Sequence, residues 1–329
     1  YTRTDLLGMS AAREAAENAG ISDFSNCKSG LISATTVAGM SKSEIYYKKY
    51  RDSDFKNPYI KTHEAAVSTE RIAEFIGINN FMTAISTACS SSANAIMLAA
   101  RMIKHGKLDC ALAGGTDSLS KFTLNGFNTL KILDRKACRP MDKSREGLNL
   151  GEGAAYLILE SEASMKKHGS RPIAELTGYA NANDAHHQTA SSPEGKGAFL
   201  AMQEALKVAG LHPKDISYIN LHGTGTDNND LTESHAIINL FGTDIPPLSS
   251  TKAYTGHTLA AAGALEAVYS LLSIRESCLF PNLRFETPIE ETGLIPVNEL
   301  KKNVNIKHIL SNSFGFGGNC TSLIFSKVN

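Results

Sequence analysis

Apolar strands and longer helices alternate along this chain, and the same series of segments occurs twice. A helix over residues 11–21 and the apolar stretch 30–36 are matched by a helix over residues 202–211 and the stretch 216–226. Strands separated by helices form parallel sheets with the helices on their faces. The repetition predicts two similar halves packed about a pseudo-twofold axis, although any α/β chain shows some self-similarity of this kind.

The match continues through the segments that follow. Residues 71–91 and 235–256 each predict a helix and then a strand that runs into a turn of small residues. A long apolar helix comes next in both halves, over residues 92–106 and 259–274, and further strands end each half. If the halves face each other, the two small-residue turns approach one another across the pseudo-twofold axis.

Charge balance and cysteine spacing restrict the class of function. Lysine plus arginine and aspartate plus glutamate number 33 each, which argues against a nucleic-acid binder that relies on bulk charge. An acidic partner would need a local basic patch, for which the stretch from Lys131 to Arg145 is the candidate, although a solvated face is favoured for most of its side chains. The six cysteines show no CxxC motif, so neither a zinc site nor a disulfide framework is favoured, and a reducing cytoplasm fits best. No apolar run reaches the length of a membrane-spanning helix.

One cysteine lies in the small-residue segment STACSSS (86–92), where a strand ends and a helix begins. Free N–H groups and the helix dipole favour an anion at such a position. We therefore expect Cys89 to be an exposed nucleophile with a lowered thiol pKa. The alternative is a purely structural cysteine at a tight turn.

Three further segments carry residues of chemical interest. In LHGTGT (221–226), His222 follows an apolar strand, at the edge where open α/β sheets build their sites. In STKAYTGH (250–257), Lys252 and His257 lie in the turn that the repeat aligns with Cys89, and Glu233 could pair with Lys252. In NSFGFGG (312–318), aromatic residues alternate with glycines, which suits either a gate with free N–H groups or a simple turn.

Together these segments resemble the β-ketoacyl-acyl carrier protein synthases of the elongating type, within the thiolase-like superfamily. TACSS, HGTGT, TKAxTGHxxxAAG and NSFGFGG occur here in the order of that family, and the resemblance runs from the first helix to the last strand. It implies a thiolase-like α/β fold with two similar βαβαβαββ halves in a layered αβαβα arrangement. We expect the halves to span residues 1–165 and 166–329.

The resemblance also implies a reaction. In that family a cysteine takes an acyl chain from a carrier protein, malonyl-carrier protein then loses CO2, and the resulting carbanion attacks the acyl thioester. Cys89 would be the nucleophile, while His222 and His257 would promote decarboxylation and stabilise the enolate oxygen. Lys252 would be the supporting cation, with Glu233 as its partner.

Further roles follow from the same resemblance. The backbone N–H groups of Cys89 and Phe316 would form the oxyanion hole, and Phe314 and Phe316 would form the acyl gate. Thr224 and Thr226 would contact the pantetheine arm. No cofactor or metal is implied, because decarboxylation supplies the driving force. The implied partners are acyl- and malonyl-loaded carrier protein and a second subunit, in a homodimer or in a heterodimer with a chain-length partner.

Several features depart from the family pattern. The Gly-rich first strand and helix that usually open the domain are not present in this sequence, so we expect the first half to lack a strand. Asn319 and Cys320 replace the usual Thr and Asn after GFGG, and Met141 stands where a bulky aromatic is commoner. These departures fit specialised polyene or polyketide synthesis as well as fatty-acid synthesis.

Two other classes of protein compete with an active synthase. A non-catalytic chain-length subunit would lack the cysteine, so the presence of Cys89 argues against it, although a synthase that is active only with such a partner stays open. A degradative thiolase would use a second cysteine as its base, and none stands at a suitable place. Acyl chain length cannot be read from the sequence, because it depends on the depth of a pocket whose walls come from several distant segments; Met97, Phe127 and Phe199 are candidates for those walls.

Overall fold

A computed structural model describes residues 1–328 of the chain. The first helix shows how local sequence sets its bounds: the side chain of Thr2 accepts from the N–H of Asp5, and the Asp5 carboxylate accepts from the N–H of Thr2. The helices and strands of the first half are α1 (Arg3–Asn18), β1 (Ser29–Ala34), α2 (Met40–Asp52), α3 (Ala65–Ile76), β2 (Met82–Ile85), α4 (Ser91–Lys104), β3 (Cys110–Asp117), α5 (Lys121–Thr129), β4 (Gly153–Glu160) and α6 (Glu162–His168).

The second half repeats the four strands of the first sheet, with one strand added in front. Its elements are β5 (Ala174–Asn183), α7 (Lys196–Ala209), β6 (Tyr218–Asn220), α8 (Asp227–Phe241), β7 (Leu248–Ser249), α9 (Lys252–Thr255), α10 (Ala262–Glu276), β8 (Cys278–Leu279), β9 (Lys301–Lys302), β10 (His308–Gly315) and β11 (Asn319–Lys327). Strands β8 and β9 form a separate antiparallel pair.

The two main sheets have the same strand order. The first sheet is ordered β2-β1-β3-β4, and the second reads β7-β6-β10-β11-β5 in the same direction. In both sheets the first three strands are parallel and the strand from the end of the half is antiparallel to its neighbour. The predicted repetition is therefore confirmed.

The sheets differ at one edge. Strand β5 pairs with β11 over nine residue pairs, whereas within residues 1–328 no strand pairs with the corresponding edge of β4. Helix α1 nevertheless packs on β4 and β3 as α7 packs on β5 and β11. The division of the chain at residues 165 and 166 stays a prediction.

Helices α4 and α10 pack against each other between the two sheets, and both contact strands of both sheets. Small residues make this close approach possible: at Gly263 a Cβ atom would lie 2.9 Å from the Cβ of Ala93. A core of buried apolar residues surrounds the helix pair, and α1 and α3 on one side and α7 and α8 on the other complete five layers. The predicted α/β fold with αβαβα layers is confirmed.

This architecture brings the turns after several parallel strands to one place. Cys89 follows β2, His222 follows β6 and Lys252 follows β7. The carboxyl ends of parallel strands are where α/β proteins assemble sites. In the part of the chain that the structure describes, no helix is long and apolar enough to span a bilayer.

Candidate active site

Cys89 lies between β2 and α4, in a turn that bends sharply because Ala88 has a φ of 53°. The side chain is buried, with 6% of its surface exposed. Burial raises the pKa of the Cys89 thiol to about 11, although Lys252 acts in the opposite direction. The prediction of an exposed sulfur with a lowered pKa was therefore wrong, because desolvation of the buried thiol outweighs the charge of Lys252 and the nearby backbone N–H groups.

Two N–H groups point at this sulfur. Hydrogen bonds from the backbone N–H groups of Phe316 and Cys89 itself favour the thiolate and lower the pKa of Cys89 in part. The approach is possible because residue 315 is glycine: a Cβ there would lie 2.9 Å from the Thr87 carbonyl oxygen and 3.1 Å from the Cys89 nitrogen. These are the two N–H groups that the sequence resemblance assigned to an oxyanion hole.

His222 is held by its own backbone. Its N–H and that of Gly223 donate to the two oxygens of Glu233, over 2.9 and 2.8 Å. Gly223 has a φ of 35°, and a Cβ there would lie 2.6 Å from the Cβ of Ser250, so the tight turn requires glycine. The imidazole is buried, 2% exposed, beside Lys252.

Lys252 pairs with Glu266, a residue in the second turn of α10. Its ammonium also donates to the carbonyl oxygen of His222, over 2.5 Å, and to Nδ1 of the same residue, over 3.2 Å. The predicted pairing of Lys252 with Glu233 was wrong, because Glu233 is occupied by the two backbone N–H groups and by Nδ2 of Asn312. Burial raises the pKa of Glu233 to about 7.

His257 is fixed at both its backbone and its ring. Its N–H donates to the carbonyl oxygen of Asn149 over 2.7 Å, and its carbonyl oxygen accepts from Gly151 over 3.0 Å. The N–H of Leu259 donates to Nδ1 of the ring over 3.2 Å. Since Nδ1 of each histidine accepts a hydrogen bond, each neutral ring carries its proton on Nε2.

The two imidazoles are neutral and close. Burial, and then the charge of Lys252, hold the pKa of both His222 and His257 well below the usual value. Their ring centroids are 5.5 Å apart, with the planes nearly perpendicular. The site thus offers two N–H donors without a second positive charge beside Lys252.

Cys89, His222 and His257 line one cavity of about 290 Å³. Thr224 and Thr226 form part of its wall, and their hydroxyl oxygens are 2.9 Å apart. Phe314, Phe316 and Phe127 also line it, and the rings of Phe127 and Phe316 stack at 5.8 Å. Met97 and Phe199 do not line this cavity; they are partly buried and pack against the two cores, and their part in an acyl pocket stays a prediction.

The basic residues between Lys131 and Arg145 fall into two groups: some are exposed near the cavity, and others bind neighbouring parts of the chain. Lys131 lines the cavity, and Arg135 and Lys136 are exposed nearby in the chain. Arg139 pairs with Asp134 over 3.0 Å, and the nearly buried Arg145 donates to backbone carbonyls at the start of α8. Only part of this stretch is therefore available to a partner.

Sequence reasoning missed Glu266. It is the single acidic residue in the apolar stretch 259–274, and a lone carboxylate in a helix that is apolar all round needs a buried partner. The sequence therefore indicates that Glu266 is buried with a partner. It does not indicate that the partner is Lys252, because this depends on how α10 crosses the second sheet.

The duplicated fold, with a cysteine at a central helix and two neutral histidines beside a buried lysine, defines a thiolase-like condensing enzyme. The family model described as "Beta-ketoacyl synthase, N-terminal domain" matches residues 2–164, and "Beta-ketoacyl synthase, C-terminal domain" matches residues 173–286. The chain belongs to the β-ketoacyl synthase family.

Individual proteins agree with this assignment. The chain is 36% identical over 330 residues to the "3-oxoacyl-[acyl-carrier-protein] synthase 2" of Staphylococcus aureus (strain N315), with 96% of this chain and 80% of that protein covered. Two solved structures match 100% of this chain at 29% sequence identity. One is the ishigamide ketosynthase/chain length factor, with a TM-score of 0.94 and 83% of that chain covered. The other is AntDE:AntF, a type II polyketide synthase acyl-carrier protein in complex with its ketosynthase, with a TM-score of 0.92 and 86% of that chain covered.

Proposed function

We propose that this protein is a β-ketoacyl synthase that transfers an acyl group from an acyl carrier protein to Cys89 and then condenses it with malonyl-carrier protein. One observation carries the proposal: the Cys89 thiol lines the same cavity as two neutral imidazoles whose Nδ1 atoms each accept a hydrogen bond. The name of the Staphylococcus aureus relative, a 3-oxoacyl synthase, supports the same chemistry.

In the first half-reaction, the sulfur of Cys89 attacks the thioester carbonyl of the acyl carrier. A new S–C bond forms, the bond to the pantetheine sulfur breaks, and the proton of the thiol goes to the departing pantetheine thiolate. The negative oxygen of the intermediate would be bound by the N–H groups of Cys89 and Phe316, which already point at the sulfur. Because burial favours the neutral thiol, this proton must leave as the sulfur attacks.

In the second half-reaction, malonyl-carrier protein loses its free carboxylate as CO2, and the electron pair forms an enolate. The enolate oxygen would accept hydrogen bonds from Nε2–H of His222 and His257. Its carbon attacks the acyl-Cys89 carbonyl, the bond to the Cys89 sulfur breaks, and the departing thiolate takes one proton from solvent. Neutral imidazoles suit this role because they donate without demanding a separate counter-anion.

The remaining residues have supporting roles. Lys252, neutralised by Glu266, would fix the tautomer of His222 through Nδ1. Glu233 would hold the turn at His222 rather than touch substrate. Thr224 and Thr226 would contact the pantetheine arm, with Phe314 and Phe316 as the gate to the acyl pocket.

The partners are proposed on the same basis. Acyl- and malonyl-loaded carrier protein would dock at the mouth of the cavity, near Lys131. The second subunit would be a copy of this chain, or a chain-length factor of the kind named with the ishigamide ketosynthase. All six cysteines are free thiols, which suits a cytoplasmic location.

The test is intact-mass measurement after incubation with acyl-carrier protein. The wild type is expected to gain one acyl group, and Cys89→Ala none. Cys278→Ala is the matched control, because Cys278 is buried to a similar degree (8% against 6% exposed) but does not line the cavity. Loading of Cys89→Ala, or loss of loading in Cys278→Ala alone, would contradict the assignment.

A further inference from the structure

The orientation of the His257 ring depends on the short turn that follows it. Leu259, whose N–H donates to Nδ1 of His257, has a φ of 55°. Residues other than glycine, asparagine and aspartate rarely adopt this left-handed conformation, so neighbouring contacts must hold it. The next residue, Ala260, supplies the link.

The N–H of Ala260 donates to Oδ2 of Asp117 over 2.9 Å. Asp117 is the last residue of β3, in the other half of the molecule, and none of its surface is exposed. A buried carboxylate of the first half therefore holds the turn that orients a histidine of the second half. Asp117 does not line the cavity and touches no reacting atom.

Asp117 is itself anchored to the loop after β1. Its Oδ1 accepts from Oγ1 of Thr35 over 2.6 Å and from the N–H of Val37 over 3.0 Å, and its Oδ2 accepts from Oγ1 of Thr36 over 2.6 Å. The N–H of Thr36 reaches both oxygens. Every partner is a donor, so both oxygens must be acceptors, a requirement that a carboxylate meets and an amide does not.

We propose that Asp117 is a positioning residue for the decarboxylation step: it fixes the turn at Leu259 and Ala260 so that His257 keeps its proton on Nε2, facing the enolate oxygen. This inference rests on the proposed function. It predicts that loss of the carboxylate impairs condensation, which uses both imidazoles, and spares acyl transfer to Cys89, which uses the two backbone N–H groups.

The experiment compares Asp117→Asn with the wild type in the two half-reactions, measured separately. Loading of Cys89 is followed by intact mass, and condensation by CO2 release from malonyl-carrier protein on the pre-loaded enzyme. We expect loading within about twofold of the wild type and a fall in the condensation kcat on the order of ten- to a hundredfold, the size of effect seen when a residue that orients a metal-bound histidine is removed. KM for malonyl-carrier protein should change little.

Asp5→Asn is the matched control. Asp5 is also a buried acid, 1% exposed and bonded to Arg71, but it lies at the start of α1 and does not contact the His257 turn. Equal condensation by Asp117→Asn and wild type overturns the inference. So does an equal fall in both half-reactions, or a selective fall in Asp5→Asn. A wild type that neither loads nor condenses would contradict the proposed function instead.

If Asp117→Asn does not fold, the same two half-reactions are measured with Thr36→Val. Thr36 is exposed, and the change removes one hydroxyl donor from Oδ2 while keeping the carboxylate. A selective two- to fivefold fall in condensation supports the inference, and an unchanged rate overturns it. With ¹⁵N-labelled histidine, the His257 signal, identified by its loss in His257→Asn, should report the Nε2–H tautomer in the wild type and a mixture in Thr36→Val.

Discussion

Replacing Glu266 with alanine is expected to destabilise the protein by about 3–5 kcal/mol, because the ammonium of Lys252 is then buried without a counter-anion. The two side chains are only 2% and 3% exposed, so water does not replace the lost partner. Ser313, which donates to the same carboxylate over 3.3 Å, also loses an acceptor. A surface ion pair would be worth less than about 1 kcal/mol.

A double-mutant cycle separates this pair from the alternative partner. Lys252→Met together with Glu266→Ala removes both charges, so the double variant should be more stable than the sum of the single effects implies, with a coupling of about 2–3 kcal/mol. Lys252→Met with Glu233→Gln should show a coupling under about 1 kcal/mol, since Glu233 binds the N–H groups of His222 and Gly223.

The assay is urea unfolding followed by circular dichroism, at one pH and one protein concentration, because subunit association would add to the apparent stability. All six proteins of the two cycles are compared as free energies of unfolding. A coupling of Lys252 to Glu233 that equals or exceeds its coupling to Glu266 would refute the pairing and the account of how His222 is oriented.

Three further outcomes are expected. Alkylation of Cys89 by iodoacetamide should accelerate about tenfold per pH unit from pH 7 to 10, because the thiol pKa is about 11; a plateau by pH 8 would contradict this. Glu233 has a folded-state pKa of about 7, above its ordinary 4.5, so the native state retains a proton that the unfolded chain releases. As the pH rises from about 4.5 to about 7, the wild type should therefore lose up to about 3 kcal/mol of stability relative to Glu233→Gln. Parallel pH profiles of the two proteins in urea unfolding would contradict a raised pKa of Glu233. Gly315→Ala should slow loading of Cys89 at least tenfold in the intact-mass assay, because its Cβ meets the Thr87 carbonyl oxygen at 2.9 Å, whereas Gly126→Ala, in helix α5 with nothing within 4 Å of the added Cβ, should load normally.

Much of the fold follows from periodicity in the sequence. The segments matched between the two halves correspond to elements at equivalent places, for example α4 with α10 and β1 with β6. The strand order within each sheet was not predicted, because it depends on which edges pair after the chain collapses. The resemblance to a known family supplied the layers that periodicity alone leaves open.

The sequence predicted which residues form the site, but not how deeply they are buried or which partners they bind. Residue type and position after a strand brought out Cys89, His222 and His257, which line one cavity. The sign of the Cys89 pKa shift was wrong because burial cannot be read from a turn sequence. The partner of Lys252 was wrong because Glu266 reaches it only through the packing of α10.

The central claim is that an acyl group on Cys89 is extended by two carbons from malonyl-carrier protein. The most direct measurement supplies malonyl groups carrying ¹³C at all three carbons to enzyme pre-loaded on Cys89. We expect a product that has gained two heavy carbons, one equivalent of ¹³CO2, and Cys89 returned to its unmodified mass. A product that gains no carbon while CO2 is released, or one that forms equally well with Cys89→Ala, would contradict the account.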